Sequence, residues 1–185
     1  MACIKKLSSD ITYDCANAVA AEPISVRGID ELVLVNYDDI SNYSVDDVGA
    51  ATITMRTGAK GYVVSSVGNS VSATIAAKAN DIMVTAQEHS VVVKLIDNTG
   101  TIGARAFAGL INDLQIGTFA ACVLTHSGNY FAYGLMSGLE CSEIVGDSAT
   151  DGIVSITLKT PEGAGGDRLL SLVKATYEGL KTPKA

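Results

Sequence analysis

Apolar and polar residues alternate at every second position over several short stretches of the chain. In TITMRT (52–57), Ile53 and Met55 alternate with Thr52, Thr54 and Arg56; in GIVSITLK (152–159), Val154, Ile156 and Leu158 alternate with Ser155, Thr157 and Lys159. A period of two sends neighbouring side chains to opposite faces of an extended backbone, so both stretches read as strands with one buried face. ELVLVNY (31–37) reads as a strand with little polarity on either face, and VVVKLI (91–96) as another, closed by DNTG. GYVVSSV (61–67), the turn GNS and VSATIAAK (71–78) read as a hairpin, since Gly-Asn followed by Ser is good turn chemistry. Leu124 to Leu135 reads as a second hairpin, turning at Ser127-Gly128-Asn129. Short strands at this spacing predict a mainly β fold, a β-sandwich or barrel.

One segment changes period. In TIGARAFAGLINDLQIG (101–117), Phe107, Leu110, Ile111 and Leu114 form a single apolar stripe, which predicts a helix over about 104–115 flanking the sheet. Thr101 or Gly103 would open it, and Gly117 would close it as a left-handed cap. Two stretches look unsupported by a core: DDISNYSVDDVGA (38–50), an acidic loop, and PEGAGGD (161–167), a linker by composition. Beyond the linker, Leu169, Leu172, Val173 and Leu180 suggest a short C-terminal helix that needs another surface to pack on. The expected organisation is an N-terminal arm (1–30), a β domain (31–161) and a linker with a C-terminal extension (162–185).

Charge and composition narrow the function. Twenty acidic against thirteen basic residues, net −7, argue against a duplex-DNA reader, which needs a concentrated basic face. The start, MACIKKLSSDITYDC, has no apolar run after its lysines and is not read as a secretory signal. No apolar run approaches the roughly 20 residues that span a bilayer. Cys3, Cys15, Cys122 and Cys141 are too scattered for a disulfide scaffold and contain no Cys-x-x-Cys pair, so structural zinc is not expected. They read as reduced thiols of a protein assembled in a cytoplasm; a Cys3–Cys15 bridge tying down the arm is the alternative.

The catalytic inventory is thin. His89 and His126 both read as surface residues beside strand ends or turns. GLMSG (134–138) places its serine fourth, so the Gly-x-Ser-x-Gly elbow is not met. GAGG lacks the spacing of a dinucleotide fingerprint, and the aspartates of 38–47 lack the ligand spacing of a calcium loop. The expectation is no enzyme, no metal and no cofactor.

Several segments together carry a resemblance. MAC, then DC at 14–15, ELVLVNYDD (31–39), GNYFAYGLMSGLE (128–140) and GIVSITLKTPEG (152–163) resemble virion structural proteins of tailed phages, of the crAss-like, Bacteroidetes-infecting kind. The likeness covers about the first forty residues and 124–163, and departs from the family at 164–185. It implies a subunit of the tail tube or a tube-like hub: a β-sandwich or barrel with one flanking helix, forming rings, commonly six-fold, that stack around a channel for the genome. The implied location is the virion tail, after assembly in the host cytoplasm. The implied partners are copies of itself and other tail or neck proteins, with DNA passing without sequence-specific binding and no membrane.

On that reading, Asp38, Asp39, Tyr43, Asp46, Asp47 and Tyr130 are candidate inter-subunit contacts. Thr52, Thr54, Ser72 and Thr74 are candidate lumen-facing residues, with Ile53, Met55, Val71 and Ile75 toward the subunit core. Acidic charge would keep the lumen from gripping phosphates. Phe131 and Tyr133 are expected to pack on Phe119 or Cys122, or on the helix stripe, leaving Tyr130 free for a neighbour. The alternatives are a capsid decoration or head-fibre protein and a glycan-binding β-sandwich module.

Overall fold

The structure is a computed structural model that describes residues 7, 10, 28–65, 70–77, 86–96, 104–146, 153–164 and 166–184. It is mainly β. Eleven strands form one branched sheet among the described residues: β1 (Ile29–Asn36), β2 (Ile40–Val45), β3 (Ala50–Met55), β4 (Tyr62–Ser65), β5 (Val71–Ala77), β6 (Gln87–Ile96), β7 (Thr118–Thr125), β8 (Tyr130–Tyr133), β9 (Leu139–Gly146), β10 (Ile153–Lys159) and β11 (Leu170–Leu172). The helices are α1 (Ala104–Ile116) and α2 (Lys174–Leu180).

The branch point is β7. One edge pairs antiparallel with β1 along nearly its whole length, so that Phe119 lies opposite Asn36 and Val123 opposite Leu32. The other edge is shared, Ala121–Leu124 pairing with β8 and Thr118–Phe119 with β9. From there one arm runs β8–β11–β3–β2 and the other β9–β10–β6–β5. β5 returns beside β1, so β1, β7, β9, β10, β6 and β5 wrap around one interior.

This branching explains why the sequences of β1 and β7 do not alternate. Leu32, Leu34, Phe119, Ala121 and Val123 face a first core with Val91, Val93, Ile156 and Leu158. Val33, Val35, Ala120 and Cys122 face a second core with Ile53, Met55, Leu172 and Tyr177. Strands buried on both faces must be apolar at every position, not at every second one. The stripe on α1 closes the first core, with Leu110 and Leu114 buried and Phe107 and Ile111 packed beside them. Leu7 is also fully buried there. Its N–H donates to Asn36 Oδ1 (2.9 Å), and its carbonyl accepts from Asn36 Nδ2 (3.2 Å).

Several expectations are corrected. β4 pairs with β1 and β5 with β6, so 61–78 is not a hairpin; its GNS turn lies partly outside the described residues. The acidic stretch 38–50 is not an open loop. It holds a 3-10 turn (Tyr37–Asp39) and the β2–β3 hairpin, whose turn is fastened by Asp46 Oδ1 accepting from the N–H of Val48 (3.0 Å) and Ala50 (2.7 Å). Residues 162–185 are not an extension: β11 fills the slot between β3 and β8, and α2 buries Tyr177 and Leu180 in the second core. Gly117 is not in the left-handed region. It is required by space instead, because a Cβ there would sit 2.3 Å from Phe119 Cζ. The proposed helix openers Thr101 and Gly103, and the Cys3–Cys15 pair, lie outside the described residues.

Candidate functional site

A connected polar cluster lies where the β8–β9 loop, Gly134–Gly138, meets the start of β6 and the segment before β11. Glycine is needed at both ends of this loop. Gly134 and Gly138 have φ of 67° and 75°, and a Cβ would meet Leu139 Cγ at 2.3 Å and Thr118 Cγ2 at 2.5 Å respectively. The GLMSG pattern is therefore a tight loop bracketed by left-handed glycines.

Three side chains grip it. His89, wholly buried, accepts the Gly134 N–H at Nδ1 (3.1 Å). Nε2 therefore carries the proton and faces Gln87 Oε1 at 3.3 Å. Asp167 accepts from the N–H of Met136 (3.0 Å) and Ser137 (3.4 Å) and from Ser137 Oγ (2.7 Å). Tyr37 donates its hydroxyl to the carbonyls of Met136 (2.9 Å) and Leu135 (3.3 Å).

The surrounding backbone is equally fixed. Asp167 and Gln87 exchange N–H···O bonds of 2.7 and 2.9 Å, and the Leu169 N–H donates to Gln87 Oε1 (2.8 Å). The His89 N–H donates to Thr160 Oγ1 (2.9 Å), and its ring meets Tyr133 edge-on at 5.3 Å. Burial lowers the His89 pKa, against the pull of the nearby Asp167 carboxylate. Burial raises the Tyr37 pKa, helped by Tyr43 and Asp167.

Serine, histidine and aspartate are thus neighbours, but their bonds do not form a nucleophile relay. Ser137 donates directly to Asp167, while both His89 nitrogens face other partners. Among the described residues no buried side-chain nitrogen or oxygen lacks a hydrogen-bond partner. A fully satisfied buried network rigidifies what it holds, here the loop. His89 corrects the expectation of a surface residue; His126 is exposed as expected, its Nδ1 3.2 Å from Asp30 Oδ1. Asp167 carries no local signal, sitting at the end of a glycine-rich stretch.

Five of the candidate contact residues lie on or beside the β2–β3 hairpin, and Tyr130 lies on β8. Asp38 and Asp47 are exposed, Asp39 accepts from Asn36 Nδ2 (2.9 Å), and Asp46 is the turn cap already described. Tyr43 and Tyr130 lean on the second core, and the Tyr130 ring packs on Tyr177 at 5.0 Å. Tyr130 thus already packs on α2 within its own subunit while staying partly exposed. Phe131 and Tyr133 point into the first core beside Phe119, as expected.

Thr52 and Thr54 are exposed on β3, and Ser72 and Thr74 on β5. The two pairs sit on separate arms of the sheet, backing different cores, so they do not share one wall of the subunit. Val71 is buried as expected, but Ile75 is 39% exposed because β5 runs past the end of the first core.

A groove of about 420 Å3 is lined by Glu88, Glu140, Cys141, Lys159 and Glu162 among others, with Lys159 paired to Glu88. Among the described residues no cluster of histidine, cysteine and carboxylate side chains is arranged to hold a metal. None of their helices is long and apolar enough to cross a membrane. Comparison with known proteins adds no assignment: no family model, curated protein or solved structure matches the chain.

Proposed function

We propose that this chain is a structural subunit that assembles with copies of itself into stacked rings, of the phage tail-tube or tube-like hub kind. The observation that supports this reading is the character of two of the three strands that end the branched sheet, β4 being the third. β2 (ISNYSV) and β5 (VSATIAA) contain no charged residue and no proline, and among the described residues each pairs on one edge only. Monomeric proteins usually blunt such edges with lysine, proline or a covering element, because a bare edge invites another strand. Self-pairing also suits the charge. With a net charge of −7, copies repel one another least where they meet through surfaces poor in carboxylates; β5 carries none, whereas β2 is flanked by Asp38, Asp39, Asp46 and Asp47. The resemblance in β1, β8 and β10 supplies the tail-tube reading and the commonly six-fold ring.

The test is light scattering after size exclusion, with negative-stain imaging of the concentrated protein. Rings or tubes are expected, and Ala76→Lys, on an exposed position of β5, should abolish them while the subunit stays folded. A protein that stays monomeric at every concentration would refute the proposal.

A further inference from the structure

We propose that the Gly134–Gly138 loop is a proton-released latch: a proton taken up at His89 Nδ1 turns the acceptor that holds the Gly134 N–H into a donor, and the loop lets go. The geometry requires that atom to be the unprotonated nitrogen of a neutral ring. Gly134 N–H points at Nδ1 from 3.1 Å, and an imidazolium would set two donors against each other there. The second nitrogen cannot exchange roles with it, since Nε2 already serves Gln87 Oε1, which also receives the Leu169 N–H.

The groups facing His89 come from several elements. Asp167 precedes β11, Tyr133 lies on β8, Thr160 follows β10, and Gln87 is on its own strand; Ile75 of β5 lies opposite it in the ladder. Glu88 on the same strand is paired with Lys159. Asp167 is the one charge in this set that favours an imidazolium, but burial outweighs it and lowers the His89 pKa from its ordinary 6.5. The closed loop therefore requires neutral His89, and opening restores ordinary hydration and proton uptake. Closure is complete above about pH 6.5 and weakens as pH falls below that value.

The loop is shaped for such a motion. Its two left-handed glycines are its ends, and Met136 at its tip is already 44% exposed. Its remaining side-chain holds, Asp167 and Tyr37, grip the segment beyond Gly134, and the Gly138 N–H donates to the Gly134 carbonyl (3.0 Å) across the neck of the loop. Release at His89 therefore frees the β8 end of the loop first. β7 and β1, which form the shared wall of both cores, make no hydrogen bond to His89 and stay in place.

Hydrogen–deuterium exchange read by mass spectrometry on the full chain tests this, with rates corrected for the intrinsic pH dependence. Protection of the peptide covering Gly134–Ser137 should fall by up to tenfold per pH unit below about pH 6.5, while peptides from β1 and β7 keep theirs. His89→Asn offers an acceptor near the Nδ1 position that does not titrate, and should flatten the profile. Asp167→Asn should lower protection at every pH but leave the slope. Exchange of the His89 C2–H in the unaltered protein gives its midpoint independently of any variant, and that midpoint should lie below 6.5 and coincide with the loss at the loop. Parallel loss in β1 and β7, a slope that survives in His89→Asn, or a slope that vanishes only in Asp167→Asn would each overturn the latch.

Discussion

Replacing Tyr177 by alanine asks whether the C-terminal helix is a structural wall or an attachment. Tyr177 is the largest of the fully buried side chains, inserted from α2 into the second core. Its ring lies 5.0 Å from Tyr130 and under Lys181 Nζ at 4.8 Å, and its hydroxyl donates to Glu31 Oε1 at 3.0 Å. Burial, then the adjacent Glu31 carboxylate, hold that hydroxyl well above the ordinary tyrosine pKa, so it remains a donor throughout the working range. Truncating a buried aromatic to alanine costs about 3–5 kcal/mol. Tyr177→Phe keeps the ring and removes only the hydrogen bond, worth about 1.5–3 kcal/mol when the partner is charged. The lower end applies, because Glu31 keeps its ion pair with Lys181.

Urea denaturation followed by far-UV circular dichroism separates the two variants. With a slope of about 2 kcal/mol per molar, alanine should lower the midpoint by about 2 M and phenylalanine by under about 1 M, at unchanged slope. A shift below about 0.5 M for Tyr177→Ala would mean that α2 is dispensable, and would refute the assignment of β11 and α2 to the second core.

Three further outcomes are expected. Gly117→Ala should cost about 1–3 kcal/mol by pushing the Phe119 ring out of the first core, lowering the Tm by about 2–4 °C per kcal/mol. Cys122, whose thiol burial pushes up to about 12, should resist iodoacetamide in the native protein and react only after denaturation, as read by peptide mass spectrometry. For His89 the folded pKa is lowered, so below about 6.5 the unfolded chain binds more protons; stability should therefore be level above that pH and fall beneath it. Urea midpoints at pH 7.5, 6.5 and 5.5 should show that fall in the wild type and not in His89→Asn.

What was legible in the chain followed a local period. β3, β10 and α1 were evident because each turns one apolar face to a core, and the β7–β8 hairpin because its turn chemistry is local. β2 was hidden because four of its six side chains are exposed, giving a strand without alternation. The run before α2 was ambiguous by length: Leu169, Leu172 and Val173 fit a helix face, yet Leu170 and Leu172 are the buried pair and Val173 is 51% exposed. The slot between β3 and β8 made that choice, and no window of sequence contains it. The latch was invisible for the same reason, since His89, Gly134 and Asp167 meet across separations of tens of residues.

The shared wall formed by β1 and β7 constrains how the protein can be made. β1 leaves the ribosome before its main partner, which begins at Thr118, so more than eighty further residues must be synthesised before that ladder can form. Neither interior can be sealed until then, and β1 emerges with both faces oily and one long edge waiting. A nascent chain in this state is a natural client for holding chaperones, and slower decoding between the codons for β6 and β7 would prolong its exposure.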